Sequence, residues 1–148
     1  MKVEDALQGI SKVFLDTAPV VYYLEARAEF LPIVQPVFQL LDGGRFKGVT
    51  SAVTLAECLV KPKQLGLVDL ERGFINFLTN TEGIEFVLLG EQVGMLAAEM
   101  RSRYHLKLPD ALQIATALDA SCEAFLTNDV QLKRIRDLRV LVISELQM

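Results

Sequence analysis

The sequence predicts an α/β fold in which helices cover both faces of a mostly parallel sheet of about five strands. Short runs of β-branched and aliphatic residues recur five times along the 148 residues, and helical segments stand between them. This alternation is typical of parallel sheets, because two parallel strands need a long crossover connection. The length and the 51% content of hydrophobic residues fit one domain spanning residues 1–148.

The predicted strands share a high content of valine, isoleucine, leucine and phenylalanine, and polar or glycine residues bound most of them. They are Val13–Asp16, Phe46–Ser51, Ile84–Leu89, Ala124–Thr127 and Leu138–Ile143.

The first three helices are predicted from proline and glycine signals. Pro19 suits the first turn of a helix at Val20–Arg27, and a second helix begins near Pro32 and ends at the glycine pair that starts with Gly43. The third helix is Val53–Val60, and we expect it to end before the following proline, because a residue that precedes proline avoids the helical conformation.

The fourth helix has the clearest periodicity, and two more helices are predicted at Glu91–Tyr104 and Pro109–Ser121. The apolar residues of the fourth helix recur at steps of three and four: Leu67, Leu70, Phe74, Phe77 and Leu78. Such a stripe more often packs in the core than lies exposed. If it were exposed, it would be the favoured surface for a dimer or another protein partner.

The composition excludes several classes of protein. Cys58 and Cys122 are far apart and the chain has one histidine, which argues against a structural zinc site or a disulfide scaffold and favours reduced core thiols. No segment has the roughly 20 apolar residues of a membrane span, and acids near the N-terminus are not typical of a secretory signal. We therefore expect a cytoplasmic location and no membrane partner.

Four acidic residues stand inside or at the end of apolar segments: Asp16, Glu57, Asp110 and Asp129. Charged side chains are rarely buried unless something pairs with them. Asp16 and Asp129 fall at or just past the carboxyl ends of predicted strands, where parallel sheets form their ligand crevice. If the fold brings the four acids together, their natural partner is a hard divalent cation.

Magnesium or manganese would relieve the mutual repulsion of such carboxylates, and both ions prefer oxygen ligands. Ions held in this way activate water and stabilise the leaving oxygen, which predicts metal-assisted hydrolysis of a nucleic-acid backbone. The net charge of −4 argues against a generally basic surface, but two segments are locally basic. We expect them to contact flanking phosphates. Their basic residues are Arg101, Arg103 and Lys107, then Lys133, Arg134, Arg136 and Arg139.

Four segments carry a resemblance to a known family: Phe14-Leu15-Asp16-Thr17, Ser51-x5-Glu57, Leu108-Pro109-Asp110-Ala111-x3-Ala115 and Leu126-Thr127-Asn128-Asp129. In this order, from Val13 to about Ile143, the chain resembles the PIN-domain nucleases, particularly VapC-type toxins. The resemblance implies a three-layer α/β/α sandwich, Mg²⁺- or Mn²⁺-dependent endoribonuclease activity on an RNA substrate, and a homodimer. For toxin members it also implies inhibition by a small cognate antitoxin.

The resemblance also implies roles for individual residues. The four acids match the family's acidic quartet, so each is expected to be catalytic and to hold metal, directly or through water. Thr127 matches a hydroxyl residue that often accompanies the last acid, and Ser51 matches a small polar residue after the second strand. Both are expected to orient a ligand or water. Gln131 is a departure, because many members carry another acid there.

Two alternatives remain open at this point. Each acid could cap a helix or pair with a basic residue, which suits Asp110 and Asp129. It suits Asp16 poorly, because the next helix is predicted to start only near Pro19, and it does not explain Glu57 inside a helix. The second alternative is a non-catalytic PIN-like module that binds RNA or a protein without cutting. His105 is expected to be a surface residue.

Overall fold

The computed structural model, which describes residues 1–148, contains five strands that form from the predicted apolar runs. They are β1 (Lys12–Leu15), β2 (Lys47–Ser51), β3 (Ile84–Val87), β4 (Ala124–Thr127) and β5 (Arg139–Val142). All four strand pairings are parallel, and the order across the sheet is β3-β2-β1-β4-β5. The predicted parallel sheet is confirmed, with small shifts at the strand ends.

Seven α-helices connect or precede the strands: α1 (Val3–Leu7), α2 (Thr17–Leu24), α3 (Leu31–Asp42), α4 (Ala52–Leu65), α5 (Val68–Asn80), α6 (Glu91–Tyr104) and α7 (Leu108–Asp119). Two 3₁₀ turns follow, at Val130–Arg134 and Ile143–Glu145. Helix α1 was not predicted. It packs its apolar residues into the core, and the N–H of its first residue, Val3, donates to the Gln147 carbonyl at 2.8 Å, which joins the two ends of the chain. No helix is long and apolar enough to span a membrane.

The sheet separates two hydrophobic clusters, because successive side chains of a strand point to opposite faces. Val13 and Leu15 face a cluster built with helices α1 to α5. Phe14 and Phe125 face α6 and α7, and their rings stack with centroids 5.2 Å apart. The fold is therefore a three-layer α/β/α sandwich, as the resemblance implied.

The predicted end of the third helix was wrong. Helix α4 runs through Pro62 and stops at Gly66, which adopts a left-handed conformation with φ of 68°. A proline removes one backbone donor from a helix. Here the Pro62 side chain is buried, and α4 lies against α5, so tertiary packing offsets that loss.

The apolar stripe of the next helix packs in the core, as expected. Phe74 and Leu78 are fully buried, and Leu70 and Phe77 pack against the same cluster. Leu67 precedes α5 and is 41% exposed. The alternative of an exposed partner surface is wrong for the helical part of the stripe. Both cysteines are free and buried, which confirms the prediction of core thiols.

Candidate active site at the carboxyl edge of the sheet

The strand order creates a crevice between β1 and β4. From β1 the chain first adds β2 and β3 on one side, and then β4 and β5 on the other. In open parallel sheets, ligands bind beyond the strand ends at the point where this direction reverses. Asp16 follows β1 directly and Thr127 ends β4, and the Asp16 N–H donates to the Leu126 carbonyl at 3.0 Å.

Asp16 lies at the centre of the crevice. Its Oδ1 accepts the Thr17 N–H at 2.8 Å, and its Oδ2 accepts the Thr127 hydroxyl at 2.7 Å. Burial raises the pKa of Asp16, and the nearby Asp110 carboxylate raises it further, while the bonds from Thr127 and Thr17 oppose that change. The protein therefore holds an acid here against an electrostatic cost.

The expectation that Asp16 has no capping role was wrong. Helix α2 begins at Thr17, not near Pro19, and Asp16 caps its first turn. Proline is tolerated within the first turn because the N–H groups there have no partner inside the helix. Capping uses one oxygen, however, and does not explain why Thr127 contacts the other.

Thr127 links the ends of the two central strands. It is fully buried, and its hydroxyl both donates to Asp16 and accepts the Asp129 N–H at 3.1 Å. Asp129 is exposed, and its Oδ1 accepts the Gln131 N–H at 3.0 Å, so it caps the 3₁₀ turn. The capping interpretation thus holds for Asp129, and the same residue lies at the crevice.

Asp110 reaches the crevice from the first turn of α7. It is half-buried and accepts no hydrogen bond, and the capping position is occupied by Lys107, so the capping interpretation was wrong for this acid. Burial raises its pKa most, and the carboxylates of Asp129 and Glu57 raise it further. These effects place Asp110 within electrostatic range of the other three acids.

Glu57 reaches the same region from α4. Its side chain is exposed, and its Oε1 accepts the Thr17 hydroxyl at 2.6 Å. Thr17 therefore contacts two of the four acids, with its backbone N–H on Asp16 and its hydroxyl on Glu57. The structure brings all four predicted acids to one edge of the sheet.

A buried glutamine was missed by the sequence reasoning. Gln113 is 1% exposed, and its Nε2 donates to Thr54 at 2.6 Å and, more weakly, to Asp16 at 3.4 Å. Thr54 in turn donates to the Leu15 carbonyl at 3.1 Å. The available signal was spacing, because Gln113 is a polar residue three positions after Asp110 and so shares its helix face.

Ser51 forms hydrogen bonds near the site but none with the four acids. It is fully buried and caps α4 by accepting the Val53 N–H at 3.3 Å. Its hydroxyl donates to Gln113 Oε1 at 3.4 Å, so it reaches Asp16 only through the glutamine. Thr127 contacts an acid directly, whereas Ser51 does not.

Two of the seven basic side chains in the locally basic segments pair with acids. Arg103 contacts Asp137 and Glu99, each at 2.9 Å, and Lys133 contacts Glu145 at 2.7 Å. The expected contacts of both segments with flanking phosphates stay a prediction. His105 is exposed and ends α6 with φ of 55°, as expected of a surface residue.

The arrangement offers hard oxygen donors whose charges repel one another. Such a set is suited to a divalent cation, since Mg²⁺ and Mn²⁺ prefer carboxylate and water oxygens. No group of three acidic, histidine or cysteine side chains is placed to ligate one ion together.

Fold and site together define a parallel α/β/α protein with an acidic crevice at its switch point. Residues 13–138 match the sequence profile described as PIN domain. The chain belongs to the PIN domain family.

Solved structures with the same fold include toxin–antitoxin complexes. VapBC2 from Rickettsia felis, bound to a DNA fragment from its promoter, aligns with a TM-score of 0.72 and 18% identity, covering 88% of this chain and 98% of that one. A toxin–antitoxin complex from Klebsiella pneumoniae aligns with a TM-score of 0.67 and 21% identity, covering 88% and 97%.

A third structure is the sarcin-ricin loop cleaving toxin VapC20 of Mycobacterium tuberculosis. It aligns with a TM-score of 0.63 and 13% identity, covering 76% of this chain and 86% of that one. No curated protein matches the sequence.

Proposed function

We propose that this protein is a metal-dependent endoribonuclease and the toxin of a toxin–antitoxin pair. One observation carries the proposal: the buried Thr127 hydroxyl joins the Asp16 carboxylate to the Asp129 backbone at the switch point of the sheet. Asp110 and Glu57 complete the acidic crevice. The neighbours' descriptions as toxin–antitoxin complexes, and as a toxin that cleaves the sarcin-ricin loop, support this function.

The donor chemistry fits Mg²⁺ or Mn²⁺. Burial and like charge raise the pKa of both Asp16 and Asp110, and a bound cation would remove that penalty. Mg²⁺ is commonly held by one or two carboxylates with several waters, which agrees with the absence of a three-carboxylate cage. We propose Asp16, Glu57, Asp110 and Asp129 as its ligands, directly or through water. Such an ion supplies an activated water and charge stabilisation for phosphodiester hydrolysis.

Hydrogen-bonding neighbours of the acids have positioning roles in this proposal. Thr127 and Thr17 hold the two oxygens of Asp16, so this carboxylate is oriented before any ligand binds. The Gln113 side chain donates a hydrogen bond to the same carboxylate, and the Ser51 hydroxyl donates one to Gln113. Preorganised ligands of this kind lose little freedom on binding, which increases metal affinity.

The proposed partners follow from the function. A small antitoxin would inhibit the enzyme in the cytoplasm, and the active form would be a homodimer. Co-expression with the product of a small adjacent gene should relieve growth arrest, and sedimentation equilibrium should give twice the chain mass. Harmless high-level expression of catalytically active protein would contradict the toxin role, and a monomer at all concentrations would contradict the dimer.

The enzymatic proposal is tested by cleavage of structured RNAs with Mg²⁺, with Mn²⁺ and with EDTA. The parent is compared with Asp16→Asn and Asp110→Asn, and the matched control is Asp119→Asn, an exposed acid at the opposite end of the same helix as Asp110. We expect cleavage only with a divalent ion. Loss of the site acids should reduce the rate by at least about a hundredfold, as for groups that stabilise charge in the transition state, and the control should retain full activity.

Activity in EDTA, or an Asp16→Asn variant as active as the parent, would refute the nuclease proposal. Absence of cleavage across a broad RNA panel, together with tight binding of RNA or a protein partner, would favour the non-catalytic module.

A further inference from the structure

A cleft of about 170 Å³ opens beside the acids, between the corner that joins α6 to α7 and the 3₁₀ turn after β4. Asp110 and Asp129 form its acidic part. Lys107 and Arg134 also line it, and both cations act on Asp110, so positive and negative groups line one small space. The cleft is continuous with the crevice, because it shares those two acids with it.

Arg134 is fixed without an acidic partner. Its Nη1 donates to the Gln131 carbonyl and its Nη2 to the Tyr104 carbonyl, both at 2.9 Å. Two neutral acceptors orient the guanidinium group, which forms no direct ion pair although its charge acts on Asp110. Lys107 likewise forms no ion pair. The two cations that line the cleft thus differ from Arg103 and Lys133, which pair with acids.

We propose that Lys107 and Arg134 form a phosphate subsite that binds the nucleotide next to the scissile phosphodiester of a single-stranded RNA. The proposal rests on the nuclease function proposed above. It adds the path that the RNA strand takes beyond the four acids. Consecutive phosphates follow one another along a strand, so a strand with one phosphate at the acids can place a neighbouring phosphate in the adjoining cleft. Arginine and lysine are suited to phosphate oxygens, and backbone contacts of this kind position a strand without reading its sequence.

The experiment measures binding rather than cleavage. Fluorescence anisotropy with a labelled single-stranded RNA is recorded for full-length Asp16→Asn protein, between about 50 and 200 mM salt, the range in which phosphate contacts are most visible. Arg134→Ala and Lys107→Ala are added to this background. Lys133→Ala is the matched control, because Lys133 neighbours Arg134 in sequence but pairs with Glu145.

We expect Arg134→Ala to weaken binding roughly tenfold, the effect of losing one charge-assisted hydrogen bond. The steepness of log K against log salt should fall by about 0.7 for each phosphate of a single strand that the variant no longer neutralises. Lys107→Ala should act in the same direction, and Lys133→Ala should change neither quantity.

Equal effects of Arg134→Ala and Lys133→Ala would overturn the subsite, and so would an Asp16→Asn parent that binds no RNA. A polyaspartate peptide tests the competing ligand class: if Arg134→Ala weakens peptide and RNA binding equally, the cleft is an acidic-peptide site and the phosphate assignment is wrong. If Arg134→Ala weakens RNA binding but the parent protein never cuts RNA, the phosphate subsite is retained and the nuclease proposal is rejected. A nuclease whose RNA binding is unaffected by Arg134→Ala would do the reverse.

Discussion

Replacement of Thr127 by valine tests the link between the two central strands. Valine keeps the shape and burial of threonine and removes only the hydroxyl, which donates to Asp16 Oδ2 at 2.7 Å and accepts the Asp129 N–H at 3.1 Å. A hydrogen bond to a charged group contributes about 1.5–3 kcal/mol. The Asp16 side chain is partly exposed, and water can replace the acceptor of the Asp129 N–H. We therefore expect Thr127→Val to lower the free energy of unfolding by the lower part of that range.

The measurement is urea denaturation of the metal-free protein near neutral pH. Thr127→Ser is the control, because it retains the hydroxyl and loses one methyl group. A double-mutant cycle with Asp16→Asn isolates the pair, and the loss caused by Thr127→Val should be clearly smaller when residue 16 carries no charge.

The pH dependence of stability tests the same hydrogen bond. The pKa of Asp16 is raised in the folded protein, so its contribution to stability is present below the unfolded value of about 3.8 and is lost as pH rises through the folded pKa. The Thr127 hydroxyl opposes that rise. The difference between Thr127→Val and the parent should therefore be largest above the folded pKa of Asp16 and shrink as pH falls through that value. Equal stability of the valine and serine variants, or a difference independent of pH, would contradict the hydrogen bond between Thr127 and Asp16.

Three further predictions concern the same region and the core. Asp16→Asn should leave the metal-free Tm unchanged or higher and abolish the increase in Tm on adding Mn²⁺. In the parent, a hundredfold excess of Mn²⁺ over Kd would stabilise the fold by about 2.7 kcal/mol. An undiminished increase in the variant would mean that Asp16 is not a ligand. Gln113→Glu should cost roughly 3–5 kcal/mol at neutral pH by placing a second charge beside Asp16, with recovery at acid pH, measured by urea denaturation; stability independent of pH would contradict this. Burial raises the pKa of both Cys58 and Cys122 to about 12, so the native thiols should react with Ellman's reagent only upon unfolding; rapid labelling of the native protein would contradict the assigned burial.

Local patterns carried most of the secondary structure. The five strands were predicted because their apolar runs are short and clearly bounded, and these cues act between near neighbours in sequence. The failures have one local and one tertiary cause. The start of α2 and the passage of α4 through Pro62 depend on a cap and on packing that outweigh the usual meaning of a proline.

Contacts between distant segments limited what could be predicted for the site. The sequence placed Asp16 and Asp129 at strand ends, but it did not reveal that Thr127 would bond to both. Gln113 was missed because its partners Thr54 and Asp16 are 59 and 97 residues away. A polar residue in an apolar helix indicates a buried partner only when that partner is known.

Because periodicity and turn residues act locally, the amino-acid sequence predicted the chain order of the five strands and of six of the seven helices, the parallel sheet, and the four acids along the chain. Packing between distant segments places Glu57 of α4 and Asp110 of α7 at the crevice between β1 and β4, which the sequence did not reveal. This packing also decided that Lys107 and Arg134 stay unpaired while Arg103 and Lys133 are neutralised. Charge interactions and hydrogen bonds depend on distances in space. Those distances are set by how segments far apart in sequence cross one another.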